Sequence, residues 1–583
     1  MERRIVLRVE VKCITGFGAA LLLGTPAMAQ TAGGAVGASG ATPAAATAPA
    51  SADPAAPAAT VALTSPALGS LADRSVPRTP DYLDATGPRS YIMSPGEIGQ
   101  LGIAQQPLAL GSRPYALGAA IAVDVAGTNN VFQTRHDARS DIFTTITPSV
   151  SAVVGTTRLV GALSYAPSLN LYSTYTSQNA LYQIGSGQLL AAVVPGLFYV
   201  DIRGAASVVP QTGGFIPGSG QVISSQGATQ TFSAQITPFL VHRFGSAATG
   251  QLGYSYLYSE QDWANGQASG TGFEPQSYSG HRGFAVLRSG EDLGRLALQA
   301  RVDGTMFVGT GVYDNAHRFI SSVEARYSIL PTVALLGEVG YESIEYGGTN
   351  PGTIDGATWS VGARLTPGPD SIAVIRYGRH EGFNSLSLNV GVALGVRTNL
   401  YATYSEALST ALSQTQDLLS TTTFDALGNP VDSQSGAPVI LINSFLGVST
   451  TLYRLRTGTA SIQHQWPRDV FTLSGTWQDG EPISSAPGEP SSPQRGGYAT
   501  FSWGHELTAR TTTAVSVQYG RIAKNQVSSD EGNVYAARLI LTHRLSENLI
   551  ASAQVAWVRE TYPSQSDLGY SQGVIRAGLR RTF

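Results

Sequence analysis

The sequence contains one cysteine, Cys13, and two lysines, Lys12 and Lys524, among its 36 basic residues. Since Cys13 lies in an N-terminal segment that is predicted to be removed, the exported chain has no thiol and cannot form a disulfide. We attribute the scarcity of lysine to a bias in codon composition rather than to a functional preference for arginine. The formal net charge is only −3, and nothing in the charge pattern predicts nucleic-acid binding.

Long apolar runs are also missing beyond residue 29. No later stretch reaches about 20 apolar residues, the length that a membrane-spanning helix needs. Yet 42% of the chain is hydrophobic, and 66 residues are glycine. Apolar content without apolar runs predicts β-strands.

The first 29 residues have the pattern of a signal peptide. Four basic residues precede the apolar run at 14–23, and Ala27 and Ala29 provide the small residues of a cleavage site. Cleavage after Ala29 would start the mature chain at Gln30. Cys13 does not lie in the small-residue context of a lipoprotein site, so no lipid anchor is predicted. Residues 30–113 form an Ala/Pro-rich periplasmic leader that is predicted to be disordered over its first part. A short helix capped at Ser94 is predicted near its end.

From residue 114 onward the chain repeats one unit: alternating residues, a tight turn, more alternating residues and a longer polar loop. Turns are predicted at 155–157, 194–196, 245–246, 291–294, 330–332, 367–370, 396–398, 467–469, 508–510 and 546–548. With a first strand near 115–127 and a final strand, these hairpins predict an all-β fold for 114–583. The fold is a large antiparallel transmembrane β-barrel of about 22 strands, within a range of about 18 to 24.

The alternation assigns faces to the predicted strands. Trp359, Val361, Ala363 and Leu365 would face lipid, and the residues between them would face a polar lumen. A soluble β-sandwich also alternates, but it keeps its polar face outside. Aromatic girdles at the membrane interfaces better explain the tyrosines at strand ends. These are Tyr254, Tyr256, Tyr258, Tyr341, Tyr346, Tyr401 and Tyr404.

The last predicted strand places Ile575, Ala577, Leu579 and Phe583 on one face, as in the terminal strands of bacterial outer-membrane barrels. We therefore interpret these residues as a C-terminal insertion signal for the barrel assembly machinery. The expected location is the bacterial outer membrane, with its lipid and lipopolysaccharide as partners. Short turns would face the periplasm, and the long loops near 210–229, 260–279, 411–450 and 481–495 would lie outside. The apolar run at 438–442 suggests that the longest loop folds back into the barrel mouth.

Motifs for catalysis are weak. Gly569, Ser571 and Gly573 match the G-x-S-x-G pattern, but that motif needs a strand-to-helix turn, and here it leads into the last strand. Neither lysine fits a phosphate-binding loop, and the eight histidines show no pair at metal-ligand spacing. The sequence predicts no enzyme, no metal site and no cofactor.

Charged residues on the inward parity are the candidates for binding in the lumen. They could create a polar path for solutes, or they could neutralise one another and brace the wall, and both interpretations stay open. The candidates are Arg301, Asp303, Glu324, Arg326, Glu338, Arg364, Arg376 and Arg538.

The segments 127–132, 139–150, 163–169 and 468–475 resemble a family of outer-membrane barrels that is associated with exopolysaccharide and PEP-CTERM loci and is often labelled as β-barrel porins. The resemblance extends over about residues 115–583. It implies a channel or accessory role in the export or surface organisation of polysaccharide, with polysaccharide or its export apparatus as partner. It offers no catalytic residues.

Three other functions compete with this interpretation. A general solute porin would have the same wall. A TonB-type receptor also has about 22 strands, but its plug domain is larger than residues 30–114 provide. A structural or adhesive barrel would conduct no ions.

Overall fold

A computed structural model of the chain describes residues 114–583, except 265–274, 369–370, 425–429, 433–444, 488–490, 525–530 and 564–568. The predicted signal peptide, the leader with its helix at Ser94 and the apolar run at 438–442 lie outside the described residues. All described residues belong to one compact unit.

The wall of the protein is a closed antiparallel barrel of 22 strands. Each strand pairs with its neighbours in sequence, and the ring closes where the last strand pairs with the first, from Ala120↔Thr582 to Thr128↔Val574. The strands are β1 Tyr115–Thr128, β2 Asp141–Gly155, β3 Leu159–Tyr165 with Ser168–Tyr172, β4 Ala180–Tyr182 with Gly185–Val194, β5 Phe198–Pro210, β6 Ala228–Phe244, β7 Ala248–Trp263, β8 Ser277–Ser289, β9 Leu296–Gly309, β10 His317–Leu330, β11 Val333–Tyr346, β12 Gly352–Leu365, β13 Ile372–His380, β14 Phe383–Ala393, β15 Thr398–Ser409, β16 Leu452–Gln465, β17 Asp469–Ser484, β18 Gln494–Thr508, β19 Thr511–Lys524, β20 Gly532–Ser546, β21 Leu549–Thr561 and β22 Tyr570–Thr582.

In the part of the chain that the structure describes, helical structure occurs only in the connections between strands. Helix α1, Ala411–Thr421, lies between β15 and β16 and is followed by a small hairpin of Thr422–Phe424 and Pro430–Asp432. Short 3₁₀ turns occur at Thr176–Gln178, Ser225–Gly227, Glu291–Leu293 and Gly311–Tyr313. No helix within the described ranges is long and apolar enough to cross a bilayer.

The predicted hairpins are confirmed. All ten predicted turns fall between consecutive strands at one end of the barrel, which we call the turn end, and the longer connections lie at the opposite loop end. Strands β3 and β4 are each interrupted. The break in β3 falls at Ala166 and Pro167, because proline cannot donate to the ladder. Ala166 still donates to the carbonyl of Ile184 across the break at 2.8 Å.

The outer face is apolar over the middle of the wall. Val339 and Val361 are 64% and 57% exposed, and Trp359 and Leu365 lie on the same outward face. Apolar surface of this extent on every strand is stable only in contact with hydrocarbon. The molecule is therefore an outer-membrane β-barrel.

Two of the predicted girdle tyrosines do not face lipid. Tyr346 and Tyr401 are buried on the inward side, at 4% and 6% exposure. Tyr346 has the inward parity of β11, opposite to that of Tyr341, so the two residues could not share a face. Tyr254, Tyr256 and Tyr341 are exposed, as the girdle interpretation requires.

The long connections are not simply external loops. Residues 211–227, between β5 and β6, run along the inner wall, and Ile216 is fully buried there. Helix α1 and residues 445–451 also enter the barrel. The interior therefore contains four apolar clusters in which loop residues pack against the wall, and the expectation that 210–229 lies outside is wrong for most of that segment.

Candidate functional site: an occupied lumen

The inner wall of β6 and β7 is lined by neutral amide and hydroxyl groups. Gln235 Nε2 donates to Thr237 Oγ1 at 2.9 Å, and Thr237 pairs with Ser255 across the strands at 2.9 Å. Ser233 and Ser259 form a second hydroxyl pair at 2.9 Å. Period-two alternation places these groups inward because the intervening residues meet lipid. The result is an uncharged polar surface that can form hydrogen bonds.

The charged candidates on β9, Arg301 and Asp303, form an ion-paired group with Arg282 of β8. Asp303 accepts from Arg282 Nε at 2.6 Å and from Arg301 Nη2 at 3.2 Å. The Asp303 side chain is only 8% exposed, whereas Arg301 is 46% exposed. Asp303 is thus neutralised at the wall, and Arg301 is the member that reaches the open lumen.

A second group connects β10 to β13. Arg376 pairs with Glu324 and, at 3.5 Å, with Glu338, while Ser360 donates to Glu338 at 3.3 Å. Glu324 and Arg376 are almost buried, so their opposite charges must be paired to be tolerated.

The remaining candidates are placed as follows. Arg326 and Arg364 lie on the same inward faces, nearer the turn end. Arg538, on β20, is 4% exposed and lies on another part of the wall. All eight candidates therefore lie inward, but they are divided among separate groups. Their role in binding stays a prediction.

Residues 211–227, which we call the inner segment, are held by wall side chains. Gln518 Nε2 donates to the carbonyl of Pro217 at 2.9 Å, and Arg538 Nη1 donates to that of Gly218 at 3.2 Å. Gln572 binds both backbone groups of Val222. Gly220 has a φ of +77°, and a Cβ there would lie 2.7 Å from the Ala556 Cβ. Glycine therefore lets the segment approach the wall, and the segment narrows the lumen.

Helix α1 crosses the lumen from β15 to β5, β6 and β7. Its N-terminus is capped by Thr410, whose Oγ1 accepts from the Ser413 amide at 3.0 Å. At its other end Arg203 Nη1 donates to the carbonyl of Leu419 at 2.7 Å, where the helix dipole is negative. In between, Gln416 Nε2 donates to Gln235 Oε1 at 3.0 Å. Polar contacts with the wall therefore hold the helix along its length.

The chain that returns from α1 is anchored by an apolar contact. Phe445 and Leu446 pack with Ile216, Tyr498 and Ile522 in one buried cluster. The wall has glycine where these side chains approach: a Cβ at Gly520 would lie 2.6 Å from Phe445, and one at Gly496 would lie 2.7 Å from Leu446. The glycines form a recess that accepts the returning segment.

Sequence reasoning missed several charged residues in the lumen. Asp201 and Arg203 form a pair on β5 at 2.8 Å, and Arg282, Arg318, Glu342 and Glu381 join the groups described above or lie beside them. Inward parity was an available signal for Arg203 and Arg282. The position of Glu381 in a turn gave no such signal.

The C-terminal residues face outward. Ile575, Leu579 and Phe583 are 66%, 51% and 72% exposed, and Ala577 shares their face. The structure thus shows the predicted apolar face, while its role as an insertion signal stays a prediction. Within the described ranges, no group of three or more His, Cys, Asp or Glu side chains is arranged to hold a metal ion.

No protein-family model and no curated protein matches the chain. Solved structures with a similar fold include the siderophore receptor PirA of Acinetobacter baumannii, with 8% identity, 82% of each chain covered and a TM-score of 0.42. The ferric-catecholate import receptor Fiu of E. coli has 12% identity over 82% of this chain and 83% of its own, with a TM-score of 0.44. OccAB3 of A. baumannii has 9% identity over 80% of this chain and 99% of its own, with a TM-score of 0.31.

Proposed function

We propose that the protein is a gated outer-membrane channel for a neutral, hydroxyl-rich polymer of the exopolysaccharide class, and that helix α1 is its gate. The proposal rests chiefly on one observation. The wall that α1 contacts is lined by amide and hydroxyl groups, which Gln235, Thr237, Ser255 and Ser259 exemplify. Such groups exchange hydrogen bonds with sugar hydroxyls without the desolvation cost of a charge.

The width of the barrel makes a gate necessary. A ring of 22 strands encloses a lumen that would be widely open if it were empty, and barrels of this size are generally plugged. Here the inner segment and α1 occupy that space. Because Gln416 binds the same wall groups that a sugar would use, a polymer entering the lumen competes directly for them. Binding of the polymer then favours release of the helix.

The gate is tested with Arg203→Met and Gln416→Ala in planar bilayers. A hydrogen bond to a charged group contributes about 1.5–3 kcal/mol, so loss of the Arg203 contact should raise the fraction of open channels about tenfold or more. Gln414→Ala is the matched control, because Gln414 lies on the same helix and its side chain has no hydrogen bond to any described residue. Unchanged conductance in both variants, with normal barrel assembly, would rule out α1 as the gate.

The substrate class is tested by current block. Neutral dextran oligomers should block the Arg203→Met channel at a concentration about tenfold lower than polyethylene glycol of equal size. Equal block by both polymers would indicate a general solute porin instead. Absence of any conductance in wild type and variants would indicate a structural barrel.

A further inference from the structure

The barrel wall has a gap between β14 and β15. Their ladder ends at Leu388↔Tyr404 toward the loop end. Both strands continue beyond that pair: residues 383–387 pair only with β13, and residues 405–409 pair only with β16. At 3.3 Å per residue the unpaired stretch is about 17 Å long. The two strands therefore diverge and leave a wedge-shaped opening in the wall.

A side chain connects the two sides of this wedge, in place of the backbone hydrogen bonds that join paired strands. Glu381 lies in the turn between β13 and β14, and its carboxylate accepts a hydrogen bond from the Leu408 amide of β15. The same carboxylate accepts from Arg318 Nη2 at 2.9 Å. The contact joins the hairpin tip to β15 and to β10.

The turn itself is strained and supported. Glu381 has a φ of +52°, which is uncommon for a residue with a side chain. The Glu342 carboxylate accepts hydrogen bonds from the backbone amides of Glu381, at 2.8 Å, and Gly382, at 3.0 Å. These bonds hold the turn in place. Strain of this kind persists where the surroundings enforce it, and it is often part of a mechanism.

A cavity of about 220 Å³ lies at the wedge. Its inner side is lined by Ser360, Ser385 and Ser387, together with Arg376. Its lining also includes Glu406, which has the outward parity of Tyr404 on β15. Ser385 and Ser387 of β14 and Ser405 and Glu406 of β15 line it together, so the cavity lies between the two diverging strands.

The outer mouth of the wedge lies at a boundary between apolar and charged surface. Trp359 and Tyr377 stack edge to face at 6.0 Å on the outer wall, at the level where the ladder ends. Beyond them Arg454 binds Glu406 at 2.6 Å. Aromatic belts mark the headgroup level of a membrane. A molecule in the wedge thus meets serine hydroxyls and ion-paired side chains inside and lipid tails outside.

We propose that this wedge is a lateral binding site for an amphiphile, with a hydroxylated head group in the cavity and an apolar chain against the outer aromatic residues, and that Glu381 latches it. The inference does not depend on what passes along the lumen. It follows from the wedge, from the Glu381 carboxylate that spans it, and from the polar side chains on its inner side and the aromatic residues on its outer side.

Site occupancy is tested by thiol protection with the full chain in lipid nanodiscs. Ser387→Cys places a thiol in the cavity, and the described residues contain no native cysteine. Decyl maltoside below its micellar concentration should slow reaction with a membrane-impermeant maleimide about tenfold, while maltose at the same concentration should not. Ser461→Cys is the matched control, since it faces inward on β16 where the ladder to β15 is continuous. Equal protection by maltose, or no protection at all, would overturn the proposal.

Closure of the wedge is tested by a cross-link. Continued in the same register, the ladder would place Ser387 opposite Ser405, so cysteines at both positions should form a disulfide across the wedge. The cross-linked protein should lose binding of a fluorescent decyl maltoside but keep its ion conductance. A Thr403→Cys, Thr459→Cys pair is the control, because those hydroxyls already meet at 2.6 Å across the intact ladder. Retained binding after the cross-link has formed contradicts the proposal, whether or not the channel conducts.

The latch is tested with Glu381→Ala and Arg318→Met. Each variant should speed maleimide labelling of Ser387→Cys severalfold, and normal heat-modifiable migration on gels shows that the barrel has formed. Unchanged labelling in both variants would mean that Glu381 does not close the wedge.

Discussion

At the scale of single residues, the lumen is defined by how its charges are paired. Asp303, Glu324 and Glu338 each lie within reach of at least one arginine. Arg301 differs because its guanidinium is about half exposed while its partner Asp303 is buried. An exposed cation in a confined aqueous path acts on passing ions more strongly than one in bulk solution, where salt screens it. We therefore expect Arg301 to affect ion preference more directly than the buried charges.

We expect weak anion selectivity that falls in Arg301→Glu and Arg364→Glu. The reversed charge would repel anions from the polar lumen. Reversal potentials under a salt gradient, measured in the Arg203→Met background if the wild type conducts too little, provide the measurement. Arg559→Glu is the control, because Arg559 is exposed on the outward face of β21. Cation selectivity in the parent protein would mean that these charges brace the wall.

The inward positions of all eight predicted charges could be read from the sequence, because a period of two leaves only one choice once the lipid face is known. The same rule would have separated Tyr341 from Tyr346, and grouping them by residue type instead of parity led to the error. The ion-pair partners of these charges could not be predicted from the sequence. Arg376 meets Glu324 three strands away, a contact that depends on barrel curvature and side-chain length rather than on the pattern of one strand.

At the scale of elements, the internal segments depend on recesses in the wall. Phe445 of the returning chain lies against Gly520 of β19, and Ile216 of the inner segment contacts the same glycine. One position on the wall thus helps to seat both internal segments.

We expect Gly520→Ala to displace Phe445, because the added Cβ would lie 2.6 Å from its ring. The channel should open more often, as it should in Phe445→Ala, where the apolar anchor is removed. The double variant should open no more often than Phe445→Ala alone, since removing the Phe445 ring also removes the clash. Open probability in planar bilayers is the measurement. Gly504→Ala is the control, because a Cβ there meets no atom within 4 Å, and additive effects in the double variant would contradict a direct clash.

Elements with local signals were predicted correctly and those without were not. The ten turns are marked by glycine, proline and polar residues, whose preferences act within a few positions. Helix α1 and the inner segment are fixed by contacts with strands far away in sequence, such as Arg203 to Leu419 and Gln518 to Pro217. Their composition resembles that of any polar loop. The recess formed by Gly496 and Gly520 can be recognised only when the side chains that fill it, Phe445 and Leu446, are known.

At the scale of the whole molecule, the described strands form a closed ring. The ladder between β1 and β22 closes the ring by pairing residues 120–128 with residues 574–582. The leader is predicted to bury little apolar surface.

We therefore expect that joining residue 29 directly to residue 110 leaves barrel assembly intact. Heat-modifiable migration and the amount of protein in outer-membrane fractions measure the result, with the full chain as reference. Degradation of the shortened chain while the full chain is stable would show that residues 30–110 have a structural role.

Closure of the ring has a further consequence for the lifetime of the protein. A cylinder has no edge strand from which unravelling can begin. Breaking any single ladder would expose two rows of backbone groups to hydrocarbon at once, and each unsatisfied group there costs several kcal/mol. The barrier to unfolding is therefore high even where the net free energy of folding is modest. The lifetime of the protein in the membrane is then governed by the rate of unfolding rather than by the folding equilibrium. Because the ladder between β14 and β15 is short, we expect its opening to determine that rate.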